Sequence, residues 1–156
     1  MPGKAKPIPD GFHTATPYMI IRDAARAIEF YKKAFGATEV YRHSDAGGKI
    51  RHAQIRIGDS PFMIADEFPE FSVCRSPQSL NGSPMHIYLY VEDVDPVFNQ
   101  AVASGATTLM PVIDQFYGDR SGGVTDPFGH IWWIATHKED VSPDEIQKRA
   151  AAHGRK

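Results

Sequence analysis

One stretch of the sequence decides the fold: Tyr117-Gly-Asp-Arg-Ser-Gly-Gly-Val-Thr-Asp-Pro-Phe-Gly-His-Ile-Trp-Trp-Ile-Ala135. Within it, Asp126 to Gly129 predicts a tight turn, because proline fixes φ early and glycine tolerates positive φ at the end. The apolar run from Ile131 to Ala135 predicts a buried strand after this turn. Gly122 and Gly123 allow another group to approach the backbone closely.

A weaker copy of this turn and strand lies in the first half of the chain. Ile64-Ala65 and Ile134-Ala135 end the last strand of each half, and Asp23 and Asp93 each open a helix at the same 70-residue offset. Each half has the order strand, helix, strand, strand, strand. The repeat therefore predicts an α+β fold of two tandem βαβββ modules, which form a curved, cupped mixed sheet with helices on its outer face.

Local patterns define the elements of both modules. Strands are predicted within 12–21, 37–41, 50–57, 62–65, 85–91, 107–112 and 131–135. Helices are predicted from Asp23 to Gly36, from an N-cap at Asp95 to Gly105, and after the capping box at Ser142. In 50–57, strict alternation puts Ile50 with His52 on one face and Arg51 with Ala53 on the other.

This organisation divides the chain into three parts. Residues 1–11 are expected to form a flexible arm, 12–138 a single domain, and 139–156 a terminal helix and tail. The domain consists of modules 12–67 and 83–138, joined by a linking loop at 68–82.

Composition excludes several classes of function. The net charge of −2 offers no electrostatic basis for binding nucleic acid or an anionic membrane. No stretch approaches the roughly 20 apolar residues of a membrane helix, and the first ten residues do not resemble a secretory signal. Cys74 is the only cysteine, which suits a cytoplasmic protein without disulfides.

The repeat resembles the vicinal oxygen chelate superfamily, which includes glyoxalase I, the bleomycin-resistance proteins and the extradiol dioxygenases. The resemblance is carried by the segments 23–36, 91–94 and 126–129, and it covers about residues 12–138. The runs Tyr117 to Arg120 and Arg56 to Asp59 are most similar to the PhnB-like or glyoxalase-like branch. This resemblance implies the fold more closely than the reaction, because the superfamily hosts many chemistries.

The resemblance also implies where a metal would bind. Metal-using members place one ligand on the first and last strand of each module, which corresponds here to Thr16, Met63, His86 and Trp133. Only His86 is a good ligand, because Met63 is soft and the indole of Trp133 offers no lone pair. We therefore expect no metal and no other cofactor, and a divalent metal held by shifted ligands around His86 is the alternative.

Without a metal, the expected cup is an aromatic pocket for a small molecule. His86 is the candidate general acid or base, because imidazole titrates near neutral pH. Arg120 is a candidate for binding a carboxylate or phosphate, or for a local pair with Asp119. The complete predicted pocket consists of Thr16, Tyr18, Met63, His86, Tyr88, Tyr117, Asp119, Arg120 and Trp133.

Three functions are compatible with these residues. The first is metal-independent binding of a small, partly aromatic molecule, with sequestration or modification of that ligand. The second is a metal-dependent lyase, isomerase or dioxygenase of the same superfamily, and the third is a non-catalytic interaction module. Under any of them we expect a homodimer.

Overall fold

A computed structural model describes residues 3–154, so the ends of the predicted arm and tail, residues 1–2 and 155–156, lie outside the described residues. The chain divides into two units, the first ending at Gly82 and the second beginning at Ser83. Each unit contains one four-stranded mixed sheet and a helix packed against it. The structure thus confirms the predicted α+β class and the two βαβββ modules.

The first unit contains six elements, of which the first five follow the order of the predicted module and the sixth is a short helix in the segment predicted as a linking loop. They are β1 (Tyr18–Ile21), α1 (Ala24–Phe35), β2 (Thr38–Ser44), β3 (Ile50–Ile57), β4 (Ser60–Asp66) and the short helix α2 (Pro77–Leu80). The strand order is β1-β4-β3-β2, in which β1 runs parallel to β4 and the other pairs are antiparallel.

The second unit repeats this topology. Its elements are β5 (His86–Tyr90), α3 (Val94–Ala103), β6 (Thr107–Asp114), β7 (Asp119–Thr125), β8 (Ile131–His137) and α4 (Pro143–His153). The strand order is β5-β8-β7-β6, again with one parallel pair, between β5 and β8. No helix within 3–154 is long and apolar enough to cross a membrane.

The helices α1 and α3 each cover one face of the sheet in their own unit. In the first unit, α1 buries Ala24, Ile28 and Tyr31, and the buried side chains Ile55 and Ile64 complete the core. Alternation along the strands directs the remaining side chains to the opposite face. We call the face opposite α1, which carries Tyr18 and Met63, and the face opposite α3, which carries Tyr88 and Trp133, the open faces.

Two local predictions are wrong. The helix α3 begins after an N-cap at Asp93, and Asp95 lies in its first turn, where its negative charge suits the helix dipole. In β3, Ser44 lies opposite Ile50 and His43 opposite His52, which leaves Arg51 unopposed in a β-bulge. The bulge breaks the predicted alternation, so Ile50 is buried and Arg51 is exposed.

Candidate functional site: a cavity on the first sheet

The open face of the first unit carries a solvent-accessible cavity of about 210 Å³, which we call the first-sheet cavity. Its floor consists of Tyr18 and Ile20 from β1 and Ala65 from β4, and Ile20 lies directly opposite Ala65 in the sheet. The complete lining consists of Tyr18, Ile20, Arg51, Ala65, Asp66, Phe68, Phe71, Ser72 and Cys74.

The segment after β4 covers this floor. A turn places Phe68 and Phe71 together, because the backbone N–H groups of Phe71 and Ser72 both donate to the Phe68 carbonyl, at 3.0 and 2.9 Å. The buried carboxylate of Glu67 anchors the segment by accepting from the Ser76 backbone N–H and from the Ser79 hydroxyl. Burial alone would raise the pKa of Glu67, but these hydrogen bonds hold it below its ordinary value.

Arg51 is the cation of the cavity. Its guanidinium carbon lies 4.7 Å from the centre of the Phe68 ring and 5.5 Å from that of Phe71. Lys49 lies nearby, with its ammonium 4.3 Å from the Phe68 ring centre and donating to the Glu67 carbonyl at 2.6 Å. The cavity therefore combines aromatic walls with positive charge.

Asp66 brings a carboxylate to the cavity, but both of its oxygens serve the fold. One accepts from the backbone N–H of Ala24 at the start of α1, at 2.9 Å, and the other accepts from that of Ile50, at 2.7 Å. Asp66 thus joins the helix to two strands of its module.

The open face of the second sheet carries a polar network. Asp119 is buried, with 5% of its surface exposed, and its Oδ2 accepts from the hydroxyls of Tyr88 and Tyr90, each at 2.9 Å. Its Oδ1 lies 2.8 Å from Nδ1 of His137, whose Nε2 lies 2.7 Å from Asp140. We call these five residues the Asp119 network.

The contacts within this network shift the pKa values of its members in the directions that preserve it. Burial would raise the pKa of Asp119, but hydrogen bonds from His137, Tyr90 and Tyr88 hold it below its ordinary value. Hydrogen bonds to Asp119 and Asp140 raise the pKa of His137. Burial, followed by the hydrogen bond to Asp119, raises the pKa of Tyr88, so the phenol stays protonated at neutral pH.

Trp133 lies beside this network, across two strands of the second sheet. Its indole Nε1–H donates to Nδ1 of His86 at 3.0 Å, so that the proton of a neutral His86 is on Nε2. The six-membered ring of this indole lies over Gly123, where an added Cβ would be 2.7 Å from Cζ3 of Trp133. The glycine that the sequence identified as a point of close approach therefore accommodates this indole.

Arg120 lies on the opposite face of the second sheet from Asp119, because the two are adjacent on a strand. Its guanidinium forms a bidentate ion pair with Asp95 at 2.8 and 2.9 Å, and it contacts Asp114 at 3.2 Å. These contacts join β7 to the first turn of α3, so Arg120 serves the packing of the helix in this structure.

The structure distributes the nine predicted site residues over both units. Tyr18 lines the first-sheet cavity. Met63 lies opposite Tyr18 in the sheet, and Thr16 lies two residues before Tyr18 in the sequence. The second unit brings His86 to Trp133, and it brings Tyr88, which interacts with Tyr117, to Asp119. Arg120 lies apart from them on the helix-covered face.

Sequence reasoning missed two groups of residues. The sequence did not predict Arg51, Phe68 and Phe71 as site residues. A β-bulge positions Arg51, and a segment without periodicity positions the two phenylalanines. His137 was not among the predicted site residues, although its pairing with Asp119 follows from the hairpin closed at Asp126 to Gly129.

The residues at the implied ligand positions do not fit a metal ion. In the second unit, the Trp133 N–H donates to His86 and offers no lone pair of its own. In the first unit, Thr16 and Met63 are poor ligands for a hard or borderline divalent ion. Within the described part of the chain, no group of three or more His, Cys, Asp or Glu side chains is placed to hold a metal.

Comparison with known proteins identifies the relatives of this chain. Residues 12–134 match the Glyoxalase/Bleomycin resistance protein/Dioxygenase superfamily. The chain is 42% identical over 141 residues to an uncharacterized protein of Mycobacterium bovis, a match that covers 89% of this chain and 93% of the relative.

Solved structures have the same fold. TioX from Micromonospora sp. ML1 superposes with a TM-score of 0.63 and 26% identity, covering 81% of this chain and 99% of that one. The PhnB protein of Bacillus cereus superposes with a TM-score of 0.60 and 22% identity, covering 80% of this chain and 99% of that one. These similarities confirm the predicted superfamily and its resemblance to PhnB-like proteins.

Proposed function

The chain belongs to the Glyoxalase/Bleomycin resistance protein/Dioxygenase superfamily, and on this premise we propose that it binds a small, partly aromatic molecule without using a metal. Proteins of this superfamily commonly bind small molecules. We assign the binding to the first-sheet cavity, with Tyr18, Phe68 and Phe71 as its aromatic walls.

The observation that carries this proposal is the cavity itself. Small-molecule sites are concave and mainly apolar, with a few polar groups that fix the orientation of the ligand. The cavity has three aromatic rings, the apolar side chains of Ile20 and Ala65, and one guanidinium. An apolar cavity of about 150 Å³ is known to hold benzene, so 210 Å³ suits a single ring with a small substituent.

The proposed independence from metal rests on the chemistry of the side chains. Asp66 is the carboxylate that lines the cavity, and both its oxygens accept hydrogen bonds from the backbone. Phe68, Phe71 and Arg51 supply no metal ligand, and the lone Cys74 thiol falls short of the three or more protein ligands that a divalent site needs. Binding in this cavity therefore needs only stacking, apolar contact and donation from Arg51.

Cys74 supplies a natural reporter for the experiment. It lines the cavity, its thiol is free, and it is the only cysteine of the chain, so a thiol reagent modifies one site. We expect small aromatic carboxylates and amides to slow the modification of Cys74 in a saturable manner, with the same midpoint in the presence of EDTA.

Two controls make this result specific. The same compounds must leave the modification rate of glutathione unchanged, which excludes a direct effect on the reagent. Phe71→Ala removes one aromatic wall from an exposed position and should weaken the protection. If no small aromatic compound protects Cys74 in the native protein, or if EDTA abolishes the protection, the proposal is wrong.

As a separate proposal, for a ligand bound on the open face of the second sheet, His86 is the general acid or base. Its Nδ1 accepts from Trp133, which fixes the ring, and its Nε2 has no hydrogen-bond partner among residues 3–154. Tyr88, Tyr117, Asp119 and Trp133 are the proposed contacts beside it on the second open face. Any turnover that is unchanged in His86→Ala would remove this role.

We also propose that the chain forms a homodimer, as proteins of this superfamily commonly do. Both outer strands β2 and β6 expose apolar side chains, which favours association. These side chains are Val40, Tyr41, Leu109, Met110 and Ile113. Sedimentation equilibrium should give about twice the chain mass of 17.3 kDa, and a monomer at all concentrations would contradict the proposal.

A further inference from the structure

We propose that the first-sheet cavity selects ligands that carry an oxyanion, a carboxylate or a phosphonate, and that Arg51 is the residue that binds this group. The inference deepens the proposed function and rests on it, because it names the class of small molecule that the cavity takes. It concerns the specificity of binding, and it invokes no chemical step.

The first argument is the position of the guanidinium. The β-bulge in β3 turns Arg51 away from the buried face, and the rings of Phe68 and Phe71 lie 4.7 and 5.5 Å from its central carbon. Contact with aromatic rings leaves the N–H groups at the edge of the guanidinium plane available to donate. A planar carboxylate or a phosphonate accepts two such hydrogen bonds at once.

The second argument is that Arg51 has no acidic partner. Within the described residues, 3–154, no carboxylate forms an ion pair with Arg51, whereas Arg42, Arg120 and Arg149 are each paired with one. The two acidic residues at the end of β4 and directly after it already accept hydrogen bonds from the fold. Asp66 accepts from Ala24 and Ile50, and Glu67 accepts from Ser76 and Ser79.

The third argument is the sign of the surrounding charge. The Lys49 ammonium lies over the same Phe68 ring and donates to a backbone carbonyl, so Lys49 and Arg51 together offset the carboxylates of Asp66 and Glu67, whose oxygens are bonded to donors of the fold. A carboxylate or phosphonate therefore finds donors on Arg51 that the two carboxylates of the fold leave free.

The decisive experiment compares ligands of equal shape and different charge. Benzoate and benzamide differ in charge but little in size, and phenylphosphonate tests a tetrahedral anion. Dissociation constants are obtained from the protection of Cys74 in native protein. We expect benzoate and phenylphosphonate to bind at least about tenfold more tightly than benzamide, as one charge-assisted bidentate contact permits.

Variants then assign this preference to Arg51. Arg51→Gln should reduce the preference for benzoate over benzamide to about one by weakening benzoate alone, and Arg51→Lys should retain part of it. Arg56→Gln is the matched control, because Arg56 lies on the same strand, contacts the Asp59 carbonyl and does not line the cavity. It should leave both dissociation constants unchanged.

The outcomes separate this inference from the function on which it rests. If no compound protects Cys74, the proposed function fails. If benzoate and benzamide protect equally in the native protein, or if the preference persists in folded Arg51→Gln, binding stands and the anion site is wrong. The native comparison and Arg51→Lys decide the question even if Arg51→Gln does not fold.

Discussion

Tyr18 and Tyr88 occupy the same position in the two sheets, opposite Met63 and Trp133 respectively. Tyr18 lines a cavity and lies 5.7 Å from the His52 ring, whereas Tyr88 donates to the buried Asp119. Two residues further along, Ile20 in the first sheet corresponds to Tyr90 in the second. The same strand positions therefore carry a cavity in one unit and a polar network in the other.

This difference shows which part of the site the topology controls. Both units have one parallel and two antiparallel strand pairs in the same order, so the backbone gives each open face equivalent positions. In the first unit, Ile20 and Ala65 leave space under two phenylalanine rings. In the second, Tyr90 donates to Asp119 instead. Side-chain size and the hydrogen-bond partner of each hydroxyl therefore distinguish the two open faces.

The largest effect on stability is expected near the end of β4 and β8, the strands that pair in parallel with the first strand of each unit, because the two units differ there. Asp66 and Thr136 are equivalent, but Asp66 accepts two buried N–H groups and Thr136 donates one hydrogen bond to Val91. Asp66→Asn places an amide donor against an N–H and should cost about 3 kcal/mol of unfolding free energy. Thr136→Val should cost about 1 kcal/mol. Urea denaturation measures both, and equal losses would contradict this ranking.

The Asp119 network should give the next largest effect. Asp119→Asn should cost about 2 kcal/mol near pH 5, because an amide cannot accept all three hydrogen bonds of the carboxylate. The free energy of unfolding of both proteins, measured across pH, also tests the direction of the pKa shifts. Tyr18→Phe is the control, because Tyr18 occupies the equivalent position to Tyr88 without contacting a carboxylate.

The pH dependence of this difference follows from the signs of the two shifts. The lowered pKa of Asp119 stabilises the fold above its ordinary 3.8, and this stability is lost as pH falls through the folded pKa. The raised pKa of His137 stabilises the fold below its ordinary 6.5, and this stability is lost as pH rises through the folded pKa. The free energy of unfolding of the native protein should therefore exceed that of Asp119→Asn by the largest amount between about pH 4 and 6.5. A constant difference from pH 3 to 9 would contradict the assignment.

The comparison also explains how far the sequence predicts the molecule. The helix from Asp23 to Gly36 and the tight turn from Asp126 to Gly129 follow from local signals, and the structure contains both. Arg51 was assigned to the wrong face because a bulge depends on how two strands pair. Phe68 and Phe71 lie in a segment without periodicity, and only tertiary contacts show that their rings meet Arg51.

A smaller effect should come from the glycine beneath Trp133. Gln54 lies opposite Met63 in the first sheet, whereas Gly123 lies opposite Trp133 in the second, so the larger ring faces the smaller residue. An added Cβ at Gly123 would lie 2.7 Å from Cζ3 of Trp133. Gly123→Ala should therefore cost about 1.5 kcal/mol, as overpacking does.

A double-mutant cycle distinguishes this clash from a backbone effect. In the Trp133→Met background, which recreates the residue of the first sheet, the cost of Gly123→Ala should fall below about 0.5 kcal/mol. Gly47→Ala, at an exposed position where a Cβ meets only Asp45 at 3.4 Å, should be nearly neutral. An unchanged cost in both backgrounds would show that Trp133 is not the reason for the glycine.

The smallest effect on stability should come from converting the first open face toward the second. Ile20→Tyr introduces the residue found at the equivalent position of β5, into space that is already open, so we expect a change within about 1 kcal/mol. The added ring should nevertheless occupy the first-sheet cavity and abolish the protection of Cys74 by benzoate. Ile20→Val, which enlarges the cavity, should retain that protection. If Ile20→Tyr folds and benzoate still protects Cys74 with its native midpoint, the ligand does not bind where the two faces differ.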